Sequence, residues 1–136
     1  MSKFKFLEHT ADIKFQAFGK TIEEAFSNSA LALQEVMTKK TKIKPVIKKK
    51  IIVKGSDKEN LLYNFLEEFL FLLDSEGFIL SKINKIEIKD NKLAAEVSGD
   101  KASRYKFSND VKAVTYNSMF VKKEGKKTIS QVVLDV

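Results

Sequence analysis

The chain carries one histidine, His9, in the run His9-Thr10-Ala11-Asp12-Ile13, and its last two residues are Asp135 and Val136. Read as it stands, Val136 adds a terminal α-carboxylate one residue beyond Asp135. If the first and last strands meet, three anionic groups and one imidazole converge on one spot. Such a set suits a hard cation or an interaction surface, not a nucleophile paired with a base. Oxygen donors of this kind match Ca²⁺, Mg²⁺ or Mn²⁺. The plainer alternative is that Asp12 caps a turn and Asp135 ends a strand in solvent.

Other chemistries find little support. The five glycines form no phosphate-binding loop or dinucleotide fingerprint. No nucleophile-elbow spacing surrounds any serine that His9 could activate. Zinc would want more histidine or some cysteine, and the chain has no cysteine at all. Lys112, in Asp110-Val111-Lys112-Ala113-Val114-Thr115-Tyr116, shares a β-rich segment and a possible sheet face with Val114 and Tyr116. It either neutralises the aspartates or contacts phosphate, or it is an edge-strand lysine that keeps the sheet in solution.

The elements that must position these residues follow from local patterns. Lys3 to Leu7 reads as a short strand, and the alternation through Ile13, Phe15 and Ala17 as a second, ended by Gly19. Thr21 and Glu24 have the spacing of a capping box. The helix they open carries Ile22, Ala25, Phe26, Ala30, Leu33, Val36 and Met37 on one stripe and ends near Thr38. Ser56 and Glu59 repeat the box spacing ahead of a second helix. Its wide apolar face (Leu61, Leu62, Phe65, Leu66, Phe69, Leu70, Leu73) calls for burial against a sheet. Phe78 to Lys89 is a strand, and Asp90-Asn91 a two-residue turn into Leu93 to Val97. Ser98 to Asn109 reads as polar and irregular. Val111 to Val121 is a long strand, Glu124-Gly125 a hairpin signal, and Thr128 to Val136 the last strand. In that strand Ser130, Val132 and Leu134 face one way, and Gln131, Val133 and Asp135 the other. The expected fold is an α+β two-layer sandwich: six to seven strands, mostly antiparallel or mixed, with two amphipathic helices on one face.

Length and composition set the bounds. The 136 residues fit one domain, 1–136, and 43% hydrophobic content with 11 phenylalanines favours a globular fold. The absence of cysteine fits an intracellular setting. No signal-peptide pattern opens the chain, and the longest apolar run, Phe69 to Leu73, is too short to span a bilayer. The expectation is a cytoplasmic protein that does not enter membranes. The net charge is +7, nearly all of it from lysine, with Arg104 the only arginine. Residues 39 to 50 hold seven lysines and the only proline, Pro45. That segment is either an electrostatic arm for RNA or a solvated loop running into a lysine-edged strand.

Several segments together resemble one family, archease. They are His9 to Ile13; Gly19-Lys20-Thr21-Ile22-Glu23-Glu24-Ala25-Phe26; Leu61 to Asp74 with Glu76-Gly77; Val111 to Tyr116; and Val133-Leu134-Asp135-Val136. They occur in family order along the whole chain. Lys14, Asp110 and Asn117 depart from the Gly, Glu and His common at those places. The resemblance implies a small activator of the RtcB-type RNA ligase, which joins a 2′,3′-cyclic phosphate or 3′-phosphate end to a 5′-hydroxyl end with GTP and a divalent metal. Archeases promote guanylylation of that ligase and its repeated turnover in tRNA splicing and RNA repair, and are not themselves the enzyme. The resemblance implies metal ligands at Asp12, Asp135 and Val136, with Ca²⁺ the leading cation and Mg²⁺ or Mn²⁺ as alternatives. It adds Lys112 as a functional position, beside His9 from the opening motif. The partner implied is the ligase, with RNA met only indirectly or weakly. A reading of another class is a small lysine-rich RNA-binding or chaperone-like module.

Overall fold

The computed structural model describes residues 2–8 and 11–136. Its elements run in the order β1 (Phe4–Leu7), β2 (Ile13–Gly19), α1 (Ile22–Thr38), β3 (Ile47–Lys54) and α2 (Lys58–Glu76). After them come β4 (Phe78–Lys89), β5 (Lys92–Lys101), β6 (Ala113–Glu124) and β7 (Lys127–Asp135). This is the α+β class, with two helices and seven strands among the described residues. Every strand pairing is antiparallel, and the strands divide into two sheets, ordered β1-β2-β7-β6 and β3-β5-β4.

The helices explain the division. On α2, Leu61, Leu62, Phe65, Leu66, Phe69, Leu70 and Leu72 are all buried, a face too wide for one sheet to cover. It packs on β6 of the first sheet and on β3, β4 and β5 of the second. In the same way α1 packs on β1, β2 and β7 and, on its other side, on β4. Phe26 of α1 stacks on Phe65 of α2 with ring centres 6.3 Å apart, closing the core between the helices.

Local chemistry sets the element ends. Thr21 Oγ1 accepts the Glu24 N–H at 3.1 Å as the box spacing predicts, while Glu24 Oε1 reaches one residue further back and accepts the Lys20 N–H at 3.1 Å. The second box is displaced by one residue. Asp57, not Ser56, caps α2: its carboxylate accepts the Asn60 N–H at 2.7 Å, and Asn60 Oδ1 accepts the Ser56 N–H at 2.9 Å. Aspartate caps at least as well as serine, and Glu59 is thereby released for another contact described below. Gly77 ends α2 in the left-handed conformation at φ 62°. Asp90 and Asn91 form the expected turn, at φ 51° and 57°. The last hairpin turns one residue later than its signal suggests, on Gly125 and Lys126. Among the described residues, no helix is long and apolar enough to cross a membrane.

Candidate functional site

The first sheet brings most of the expected site residues to one end. β2 and β7 pair with Ile13 opposite Leu134, Phe15 opposite Val132 and Ala17 opposite Ser130. These face the helices: Phe15, Ala17, Val132 and Leu134 are fully buried. Side chains alternate along a strand, so Lys14 and Gln16 share the opposite face with Val133 and Gln131. Asp12 precedes the last pair of this register, Ile13–Leu134, and Asp135 follows it, so both stand at the same end of the sheet. Asp12 lies just before β2 and is half-buried, and Asp135 is the last residue of β7 and exposed. On the other flank Asp135 pairs with Ala113 of β6, and its carbonyl accepts the Lys112 N–H at 2.8 Å. Val136 continues that register opposite Lys112. The structure therefore gathers Asp12, Asp135, Val136 and Lys112 where three strands end. His9 lies outside the described residues.

Beside this end opens a cleft of about 610 Å³. Apolar side chains of Phe6, Leu7, Ile13 and Val36 line it together with Asp12, Glu35, Lys39, Lys40 and Asn109. Asn109 donates to the Val36 carbonyl at 2.8 Å, which ties the segment before β6 to the end of α1.

β6, which leads out of Lys112, is held by an α2 seam that periodicity did not announce. Tyr63 and Tyr116 stack with ring centres 4.3 Å apart, and Asn60 donates to the Tyr116 hydroxyl at 2.7 Å. Burial, and then the nearby Glu67 carboxylate, push the Tyr63 hydroxyl above its ordinary pKa. Glu59 accepts the Val121 N–H at 3.0 Å and Glu67 the Val114 N–H at 3.4 Å, so α2 carboxylates satisfy two amides of this edge strand. Between Thr115 and Phe120 the pairing with β7 is interrupted. There Ser118 adopts φ 55°, and its carbonyl accepts from Gln131 at 2.7 Å. Gln131 in turn accepts from Gln16 at 2.8 Å. This chain of amides crosses β2, β7 and β6 on the Asp135 face and locks their register.

Among the described residues, no three His, Cys, Asp or Glu side chains gather as a metal cluster. A cation at the sheet end would rest on the two aspartates together with main-chain oxygen from Val136. These donors are all hard oxygens, and their chemistry fits Ca²⁺, Mg²⁺ or Mn²⁺.

The lysine-rich stretch forms a loop that runs into an edge strand. Lys48 and Lys50 are part of β3, the edge strand of the second sheet, and residues 39–46 form the loop that runs into it. Ser98 to Lys101, read from sequence as irregular, continue β5. Asp100 is 1% exposed there. Its carboxylate accepts from the Tyr105 hydroxyl at 2.7 Å and from the Lys101 N–H at 2.8 Å, with Arg104 at 3.7 Å. Those hydrogen bonds, Tyr105 first, hold the Asp100 carboxyl below its ordinary pKa. The same Tyr105 hydroxyl accepts the Lys44 N–H at 3.0 Å, fastening the loop to β5.

Comparison with known proteins identifies the family and the fold. The sequence profile of the Archease protein family matches residues 4–136. The chain is 38% identical to protein archease of Sulfurisphaera tokodaii over 139 residues, covering 100% of both chains. It is 39% identical to protein archease of Pyrococcus furiosus over 143 residues, again covering 100% of both. The solution structure of protein 1598 of Methanobacterium thermoautotrophicum superposes with a TM-score of 0.85 at 34% identity, over 100% of each chain. A crystal structure of an archease from Thermotoga maritima, described as a possible chaperone, has a TM-score of 0.67 at 21% identity over 97% and 96% of the chains. That last likeness speaks for the fold alone.

Proposed function

The chain belongs to the archease family, and from that premise we propose that residues 1–136 act as one domain, a protein cofactor that activates an RtcB-type RNA ligase. In this reading it promotes guanylylation of the ligase and repeated turnover in tRNA splicing and RNA repair, without being the ligase. The observation that carries the reading is family membership over the full length, joined to the convergence of Asp12, Asp135, Val136 and Lys112 at one sheet end.

Asp12, Asp135 and the Val136 main-chain oxygens are the proposed ligands of a divalent cation. When bound, the cation supplies charge neutralisation of the kind that nucleotidyl transfer depends on. The chain's own groups do the positioning. The Ile13–Leu134 pair brings the two aspartates to the same sheet end, and the Lys112 N–H holds the Asp135 main chain. The Lys112 ammonium is proposed to meet the acidic cluster or a phosphate of the ligase reaction, with His9 a further functional position. The apolar cleft beside Asp12 gives the same end a surface for a protein partner.

Single-turnover guanylylation of the cognate ligase, with and without this protein, tests the reading. The expected result is faster guanylylation, and multiple-turnover RNA joining at sub-stoichiometric amounts, with neither reaction supported by the protein alone. Unchanged ligase kinetics would overturn it.

A further inference from the structure

The second sheet turns one face to the helices and leaves the other open. On the open face β3 presents Lys48, Lys50, Ile52 and Lys54, all exposed. β4 presents Lys82, Lys85, Glu87 and Lys89, also exposed. Between them β5 presents Ser98, Glu96, Ala94 and Lys92. The register pairs these across the sheet: Lys48–Ser98–Lys82, Lys50–Glu96–Lys85, Ile52–Ala94–Glu87 and Lys54–Lys92–Lys89. This face thus holds seven lysines against two glutamates. Only Lys85 among those lysines is ion-paired in the described residues, with Glu87 at 3.5 Å. Lys49 belongs to the other face, where it pairs with Glu76 at the end of α2.

The face has shape as well as charge. Lysines on the two outer strands flank the β5 row, where Ser98 and Ala94 are short and Glu96 stands between them. A hollow of about 450 Å³ next to Lys48 and Lys82 and one of about 210 Å³ next to Lys85 and Ala94 share Lys50 and Glu96, so they meet end to end. Asn84 donates to Ser98 at 2.6 Å, in the wall of the first hollow. Strand spacing makes the trough about 10 Å from wall to wall, and same-face residues along each wall are about 6.7 Å apart. Shielding an edge strand from unwanted pairing needs lysines on β3 alone. Here the β4 wall carries as many as β3.

We infer that this lysine-walled trough on the open face of the β3-β5-β4 sheet binds a single nucleic-acid strand through its phosphates, without reading sequence. A 10 Å trough takes one phosphodiester backbone. No aromatic ring lies on the face, so bases have nothing to stack on, and lysine makes point-charge rather than bidentate contacts. An acidic protein surface fits less well. Protein interfaces are depleted in lysine and anchored by buried aromatic or large apolar groups, and Ile52 is the only large apolar side chain here. Binding should be moderate in strength and strongly salt-dependent. Four to six phosphates neutralised on a single strand give a log–log salt slope of about −3 to −4.

The inference does not rest on the ligase reading, and its test contains no ligase. Fluorescence anisotropy of a labelled 20-nucleotide oligouridine is measured against wild type and two triple variants, with melting curves to confirm that each folds. Lys48→Ala/Lys50→Ala/Lys82→Ala should weaken binding at least tenfold at low salt and flatten the slope by about 2. Lys122→Ala/Lys123→Ala/Lys126→Ala removes equal charge at the β6–β7 hairpin and should change affinity less than threefold. Glu96→Gln takes a repelling carboxylate from the trough floor and should tighten binding. Equal losses in the two triple variants would reduce the effect to net charge and overturn the inference. Polyglutamate bound as tightly as oligouridine would overturn it in favour of an acidic protein partner.

Discussion

Replacing Asp135 with asparagine should move stability and function in opposite directions. Asp135 and Asp12 are the residues next beyond the last β2–β7 pair, Ile13–Leu134, and like charges close together on neighbouring strands oppose pairing. Asp135 is exposed, so the water value applies: two charges at ~5 Å repel by about 0.8 kcal/mol, less with salt. Asp135→Asn should therefore raise cation-free stability by about 0.3–0.8 kcal/mol, or roughly 1–4 °C in melting temperature for a chain of this length. A divalent cation should reverse the order. A weak oxygen site with Kd of about 10⁻⁴–10⁻³ M, in ~10 mM Ca²⁺, gains about 1.4–2.7 kcal/mol by mass action. Wild type should then melt roughly 4–12 °C higher than without cation, and the variant should hardly move. Calorimetric melts with EDTA and with Ca²⁺, beside ligase guanylylation, make the assay. A variant that melts below wild type in EDTA would refute the close approach of the two carboxylates. Equal stabilisation of both proteins by Ca²⁺ would refute the site.

Lys112→Ala should lower ligase activation more than Lys126→Ala, although net charge changes equally, and equal losses in a guanylylation time course would return Lys112 to the role of a solvated edge lysine. Gly99→Ala should destabilise strongly, because a Cβ there would lie 2.0 Å from the Ile79 carbonyl oxygen and 2.7 Å from the Phe78 ring. Overpacking typically costs about 1–3 kcal/mol, and a clash with backbone belongs at or above the top of that range; urea melts that match wild type would contradict it. Tyr105→Phe removes the main cause of the depressed Asp100 pKa. A depressed carboxyl stabilises the fold above its unfolded pKa, near 3.8, and loses that effect as pH falls through the folded value. The wild-type advantage over Tyr105→Phe should thus be full at pH 7 and shrink below about pH 4, as urea melts at pH 7 and pH 3 would register.

Much of the local structure was legible in the residues. The Thr21–Glu24 box, the apolar stripe of α2, the Asp90-Asn91 turn and the alternation of β7 each depend on neighbours within a few positions. Backbone sterics and side-chain period act over that range whatever the rest of the chain does. The family motifs were legible too, and they drew attention to Asp12, Lys112 and Asp135. The Ser56 cap was misread by one residue because Asp57 competes for the same amides, and local spacing does not rank the two. Non-local pairing was hidden. That the strands form two sheets followed from how wide the buried face of α2 is in three dimensions. That Asp12 and Asp135 reach the same sheet end followed from a register set by partners more than a hundred residues apart. Ser98 to Lys101 looked polar in sequence, yet they continue the strand, buried through Asp100, whose carboxylate Tyr105, Lys101 and Arg104 satisfy. The lysines of β3, β4 and β5 read as scattered charge along the chain. Only antiparallel pairing, which aligns side chains across strands, gathers them on one face.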